Sequence, residues 1–334
     1  MSDKDLITKG YLKNNEVFAD LFNYYIYEGV QMIKPDTLHP LDTAVLANLY
    51  GKNKNVFHTQ RFRDILKYVS AMMDDKVTYL ILAIETQSEV HYAMPIRNML
   101  YDALQYQAQA EEIARKHKNN KDYQKESKDG EKVNVGEFLS GFYKGDKVIP
   151  VITLVVNFSA DQWDAPIRIY DLLNVSNDNL YKYIPDYKIN LISPYNMTDE
   201  EANRFQTDFR EVMLYLKYSK DKQKLEELLK RDERFQNMKR STAEMINAVT
   251  GSKIKFDTRK EKIDMCKAIQ DMRTDARNNG KEEGLKEGRI LGRIEQYIED
   301  AREYGANDVM IIEKLMEKFQ MSKQEAISKL HQHD

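Results

Sequence analysis

The sequence predicts an α/β core followed by an α-helical extension. Two apolar, largely β-branched runs, TYLILAI at 78–84 and VIPVITLVVNF at 148–158, read as buried strands. Between them, residues 91–116 keep helical spacing, with Met94, Leu100, Leu104 and Ile113 among the apolar positions. From about residue 198 onward the helical period takes over almost completely. For strand–helix–strand the default is a right-handed parallel crossover, in a parallel or a mixed sheet.

Each element has a local reason. Asn14 or Asn15 can cap an N-terminal helix in which Val17, Phe18, Leu21, Phe22 and Tyr25 share a face. That helix should end near Gly29, and Pro35 and Pro40 mark a loop. Residues 61–69 form a candidate partner strand of ambiguous pattern. Glu85 and Gln87 close the 78–84 strand. Pro95 fits only the first turn of a helix, so the next helix starts near Met94. The Lys- and Asn-rich stretch 117–135 reads as a mobile loop. Pro150 sits at the start of its strand, where a missing N–H is tolerated. Thr198 with Glu201, and Ser322 with Glu325, are candidate capping boxes. We expect an α/β domain over 1–197, a helical region over 198–275, and a Gly/Glu-rich helix with a terminal helical hairpin over 276–334.

Composition narrows the class without naming a chemistry. Among 334 residues, 54 acidic side chains face 51 basic ones, which argues against a simple basic binder of nucleic acid. A hydrophobic fraction of 42% argues against a disordered chain. No apolar run approaches the roughly 18 residues of a membrane span. One cysteine, Cys266, excludes an intramolecular disulfide, and MSDKDLITKG offers no apolar signal region, so we expect a cytoplasmic protein. Cys266 has no evident His partner, which favours a buried, inert thiol over a nucleophile. Counted by segment, residues 1–113 hold 11 basic and 15 acidic side chains, whereas 210–262 hold 15 and 9.

Neither a phosphate-binding Gly loop, nor a GxSxG elbow, nor zinc-like Cys/His spacing is present. The informative region is 61–106. Residues i and i+2 of a strand share a face, so Glu85 and Gln87 should project together. A carboxylate and an amide oxygen are hard ligands suited to Mg²⁺. Asp64 would add a second carboxylate if its segment pairs beside that strand. Solvated acids at strand ends are the plainer alternative.

RFRDIL at 61–66, LILAIETQSEVHYAMPIRNMLYDALQY at 80–106 and VIPVITLVV at 148–156 resemble the Rpn family of recombination-promoting nucleases and transposases, within the PD-(D/E)XK nuclease superfamily. FADLFNYYIYEG, EFLSGFYKGDKVIPVITL, Trp163–Asp164, YLKYSKD, MCKAIQDMR and the Glu/Gly-rich tail extend the likeness over nearly the whole chain. The likeness implies a restriction-endonuclease-like core, a four-stranded mixed sheet flanked by helices, and a Mg²⁺- or Mn²⁺-dependent DNA endonuclease. In its terms Asp64 and Glu85 hold the metal, and Gln87 stands where the superfamily usually has Lys. A neutral Gln can orient water or ligate metal but supplies no charge. Asp20, with Glu16 as its alternative, matches the acid of the first helix. Arg97 and Tyr101 match the following helix, for phosphate contact or support of the site; an ion pair with Asp102 or another carboxylate is the competing role for Arg97.

DNA is the implied partner. Lys253, Lys255, Arg259 and Lys260, around Phe256, form the densest basic cluster and are the candidates for phosphate contact; a solvated helix laced with ion pairs is the rival reading. Gly280, Gly284, Gly288 and Gly292 lie along one helix face, suited to close approach by a second copy or else to a weak, solvated helix. The terminal hairpin reads as a small packing module rather than a helix-turn-helix. The expected function is metal-dependent DNA cleavage linked to recombination or transposition. Its rival is a catalytically weak nuclease-fold protein acting in DNA binding or assembly, and RNA is not distinguished from DNA.

Overall fold

The computed structural model describes residues 3–40, 65–73, 76–124 and 133–332. Helices α1 (Asp3–Lys13) and α2 (Asn15–Tyr27) come first. Asn14 caps α2, its side-chain oxygen accepting from the amides of Glu16 and Val17 at 2.8 and 3.4 Å. The helix ends through Glu28 in the left-handed region and Gly29 at φ +93°. A Cβ at Gly29 would come within 2.9 Å of the Arg204 backbone oxygen, so this turn needs glycine twice over.

A five-stranded sheet follows in the order β1 (Leu38–Pro40), β2 (Ile65–Met73), β3 (Lys76–Gln87), β4 (Val151–Asn157), β5 (Asn190–Ile192). The pairs β1–β2 and β2–β3 are antiparallel, while β3–β4 and β4–β5 are parallel. The sheet is therefore mixed, and the parallel β3–β4 pair is joined through α3 (Met94–Asn120). Pro95 lies in the first turn of α3, where its missing N–H costs no helical hydrogen bond.

Alternation along the strands sends side chains to two faces. Leu66, Ile81, Ala83 and Val151 pack together on one, and Val155 joins Met94 of α3 with Trp163, Ala165 and Ile189. Helix α3 is fixed to this face by side chains at helical spacing. Asp102 accepts from the Thr153 hydroxyl at 2.7 Å, Tyr106 accepts from the Val151 amide at 3.1 Å, and Gln109 exchanges two hydrogen bonds with the backbone of Ile149. On the other face, Lys67 is buried and donates to the Lys13 carbonyl and the Asn15 side chain, with the Phe18 ring 4.5 Å away. This brings α1 and α2 over the face opposite α3. Burial holds the Lys67 amine down to about 8.

Residues 117–124, expected in a mobile loop, are structured. Helix α3 runs on to Asn120, and a 3-10 turn covers Asp122–Gln124. His117 holds this end, bonded to Asp122 and Asp146 at 2.9 Å each and stacked on Tyr143 at 3.8 Å between ring centres. Helix α4 (Val135–Ser140) then leads to β4, with the capping box of Asn134 and Glu137 at its start.

Helices α5 (Asp199–Ala202), α6 (Phe209–Tyr218), α7 (Lys222–Arg231) and α8 (Arg240–Thr250) make up most of 198–266, and Thr198–Glu201 forms the expected capping box. Two very short strands, β6 (Met238–Lys239) and β7 (Lys262–Ile263), flank α8 and the irregular residues 251–261 and pair antiparallel. The stretch 198–266 shares one compact unit, Met1–Cys266, with the sheet. The second unit is Lys267–Asp334. Helix α9 runs over Met265–Glu303, and its end packs with α10 (Asp308–Phe319) and α11 (Lys323–His331) around Ile294, Ile298, Ile311, Leu315, Ala326 and Leu330. That is a small three-helix packing module with the Ser322–Glu325 capping box in place. No helix among the described residues is long and apolar enough to cross a membrane.

The His117 cluster gives a pH test of the fold. Burial opposes the charged ring, but the hydrogen bonds to Asp122 and Asp146 outweigh it and raise the pKa above 6.5. The stabilisation is complete below the unfolded value and is lost as pH rises through the higher folded one. His117→Gln should therefore cost more stability in urea titrations at pH 5.5 than at pH 9; an equal cost at both would contradict the ion-paired assignment.

Candidate functional site

The candidate site lies where β3 leaves the sheet. Glu85 and Gln87 share the α3 face, as strand alternation requires, and both are buried, Glu85 at 0% exposure. An ionised carboxylate at that depth needs a counter-charge. Arg97, from the first turn of α3, supplies it at 3.1 Å from Glu85 Oε2. The guanidinium has a second hold on the same helix: its Nε donates to the Tyr101 hydroxyl at 3.3 Å, and its centre is 5.5 Å from the Tyr101 ring. Position i+4 puts the Tyr101 side chain over the turn that carries Arg97. Arg97 is thus ion-paired with Glu85, and the Asp102 oxygens accept from Thr153 and Tyr187.

Parallel register continues the polar strip sideways. Gln87 stands beside Asn157, which is fully buried, accepts from the Ser159 amide at 3.1 Å and donates to Ser193 at 3.4 Å. The sequence reading passed over Asn157, although an Asn ending the apolar run VITLVV was its signal. It also missed Asn98. That side chain is fully buried on the sheet-facing side of α3, and neither amide atom has a hydrogen-bond partner among the described residues. One residue from Arg97, it is an unusual cost to carry in a helix–sheet interface.

Asp64 lies outside the described residues. It directly precedes Ile65, whose ladder partner is Ile84, the neighbour of Glu85. Asp20 has a different role from the one expected. Its carboxylate, 1% exposed, accepts from the Gln206 amide at 3.0 Å, the Thr207 amide at 2.8 Å and the Thr207 hydroxyl at 2.6 Å. It ties α2 to the segment that enters α6, and α2 covers the sheet face opposite Glu85. Glu16 is exposed and pairs with Lys239 at 2.9 Å.

The basic cluster is an irregular segment leading into β7, not a solvated helix. Lys253, Lys255, Arg259 and Lys260 are exposed around the buried Ile254. Arg259 forms two hydrogen bonds with Asp257, at 3.0 and 3.1 Å, and these hold the Asp257 carboxyl below its ordinary value. Its charge is thus partly matched locally, leaving the three lysines as the freer cations of the set.

Among the described residues, no three His, Cys, Asp or Glu side chains converge as a metal-binding group. The described half of the site is one buried carboxylate, one amide two residues on, and a guanidinium already occupying a cation position. Comparison with known protein families, with curated proteins and with solved structures finds no match to this chain.

Two substitutions test these assignments by denaturation. Asp20→Asn, which turns one acceptor into a donor facing the Thr207 amide, should cost about 3 kcal/mol. Arg97→Met should cost about 3–5 kcal/mol by removing the guanidinium that meets the buried Glu85 carboxylate. Adding Glu85→Gln to Arg97→Met should recover much of that loss; strict additivity would contradict the ion pair.

Proposed function

We propose that the protein is a metal-dependent nuclease of the PD-(D/E)XK type, acting on DNA, with Glu85 at its reaction centre. The observation that carries this reading is the fully buried Glu85 at the end of a central strand, with Gln87 two residues on along the same face. A carboxylate has no structural need to be there, because an apolar residue would fill the position at lower cost. The coarse architecture supports the reading: the sheet is mixed and flanked by helices, although it has five strands where the resemblance implies four.

The donor set suits Mg²⁺ or Mn²⁺. Glu85 and Gln87 offer hard oxygens on one face. In this reading Asp64 and Glu85 would hold the ion. When bound, it supplies a hydroxide-like water and charge stabilisation at the phosphate. Gln87 orients the attacking water through its amide. Arg97 presents a planar fork that matches two phosphate oxygens. Lys253, Lys255 and Lys260 provide exposed phosphate contacts, and the α9 glycine row suits a second copy of the chain. The link to recombination or transposition rests on the resemblance alone.

One observation favours a second reading. Arg97 neutralises Glu85, which suits a nuclease fold retained for DNA binding or assembly with little turnover. Supercoiled plasmid separates the two. With Mg²⁺ or Mn²⁺, wild type should nick it, and Glu85→Gln and Asp64→Ala should each lower the rate at least about 100-fold. Nicking that survives both substitutions would contradict the site; no nicking by wild type with either ion would favour the binding reading.

A further inference from the structure

We propose that Arg97 is a resident competitor for the cation position at Glu85, and that binding of a divalent cation moves its guanidinium off the carboxylate. The inference rests on the metal-site reading above and goes beyond it, because it assigns a movement to a residue that otherwise only supports the site.

The geometry has the parts of an exchange. Glu85 is fully buried on the strand, so the carboxylate is the fixed partner. The Arg97 side chain retains 22% of its exposure and reaches Glu85 from a helix through a long, flexible stem. It contacts Glu85 through Nη2, while Nε is separately held by the Tyr101 hydroxyl. The guanidinium is a rigid plane, so leaving Glu85 swings Nη2 and Nε together on the flexible stem, and the Tyr101 ring, 5.5 Å from the guanidinium centre, offers the displaced head a cation–π contact.

Charge decides the direction. A divalent ion on Glu85 and a guanidinium on the same oxygen are like charges in a site with little water between them. Each therefore weakens the other's hold on the carboxylate, and the doubly charged ion is the stronger competitor. Without metal, Arg97 meets the buried carboxylate with an opposite charge. With metal, the released fork is left partly exposed and next to the place where a phosphate would be cut. The same side chain thus keeps the empty site folded and becomes available for anion binding only once the ion is in place.

The test reads metal binding directly. Mn²⁺ affinity is measured by isothermal titration for wild type, Arg97→Met and Glu85→Gln, with the circular dichroism of each variant recorded. We expect Arg97→Met to bind Mn²⁺ about tenfold more tightly than wild type, because the competing cation is gone, and Glu85→Gln to lose binding. Arg97→Met binding no tighter than wild type overturns the exchange and leaves the metal site standing. No Mn²⁺ binding by either protein overturns both. Should Arg97→Met fail to fold, the wild type still answers. The Arg97 Nε–H resonance, assigned with Arg97→Lys, should shift on titration with MgCl₂, whereas a resonance unmoved at saturating Mg²⁺ overturns the exchange.

Discussion

A carboxylate buried beneath a helix, at the end of a central strand, is the constraint to which much of this structure answers. Burying a carboxylate there is costly unless a cation meets it, and Arg97 does so. That contact depends on where α3 begins, because Arg97 must fall in its first turn. Pro95 and the N-terminal end of the helix set that start, and Asp102, Tyr106 and Gln109 then lock the next turns to β4. The parallel β3–β4 ladder places Val155 and Asn157 beside Glu85 and Gln87. Ladder, helix start and ion pair are one arrangement.

The strongest parts of this core were legible in the sequence because their signals are local. Long β-branched runs gave β3 and β4, helical spacing and Pro95 gave α3, and the i, i+2 rule put Glu85 and Gln87 on one face. Short elements were not legible: β5 has three residues and β6 and β7 two each, too few for any period to show. The 117–124 stretch looked like a loop from its lysines and asparagines, but it is ordered by His117 meeting Asp146, 29 residues away.

Asp20 shows why site residues are harder still. Its type and its place on the first helix suited a catalytic acid, but what decides its role is a pair of backbone amides 186 and 187 residues downstream. Asn98 failed to register for the opposite reason. Its cost comes from burial among packed elements, and no neighbour in sequence announces it. Of the roles open to Arg97, the structure shows the ion pair with a nearby carboxylate, and that carboxylate, Glu85, had to come from the fold. In the second unit, a Cβ added at Gly280, Gly284, Gly288 or Gly292 would meet no other atom within 4 Å among the described residues.

The central claim is that Glu85 sits at a cation site whose present occupant is a side chain. The most direct measurement is anomalous diffraction from crystals soaked in MnCl₂. The account predicts an anomalous peak at coordination distance, about 2.2 Å, from a Glu85 oxygen, with the Arg97 guanidinium displaced from its contact. A crystal saturated with Mn²⁺ that shows no peak at Glu85, with the Arg97 ion pair intact, would contradict it.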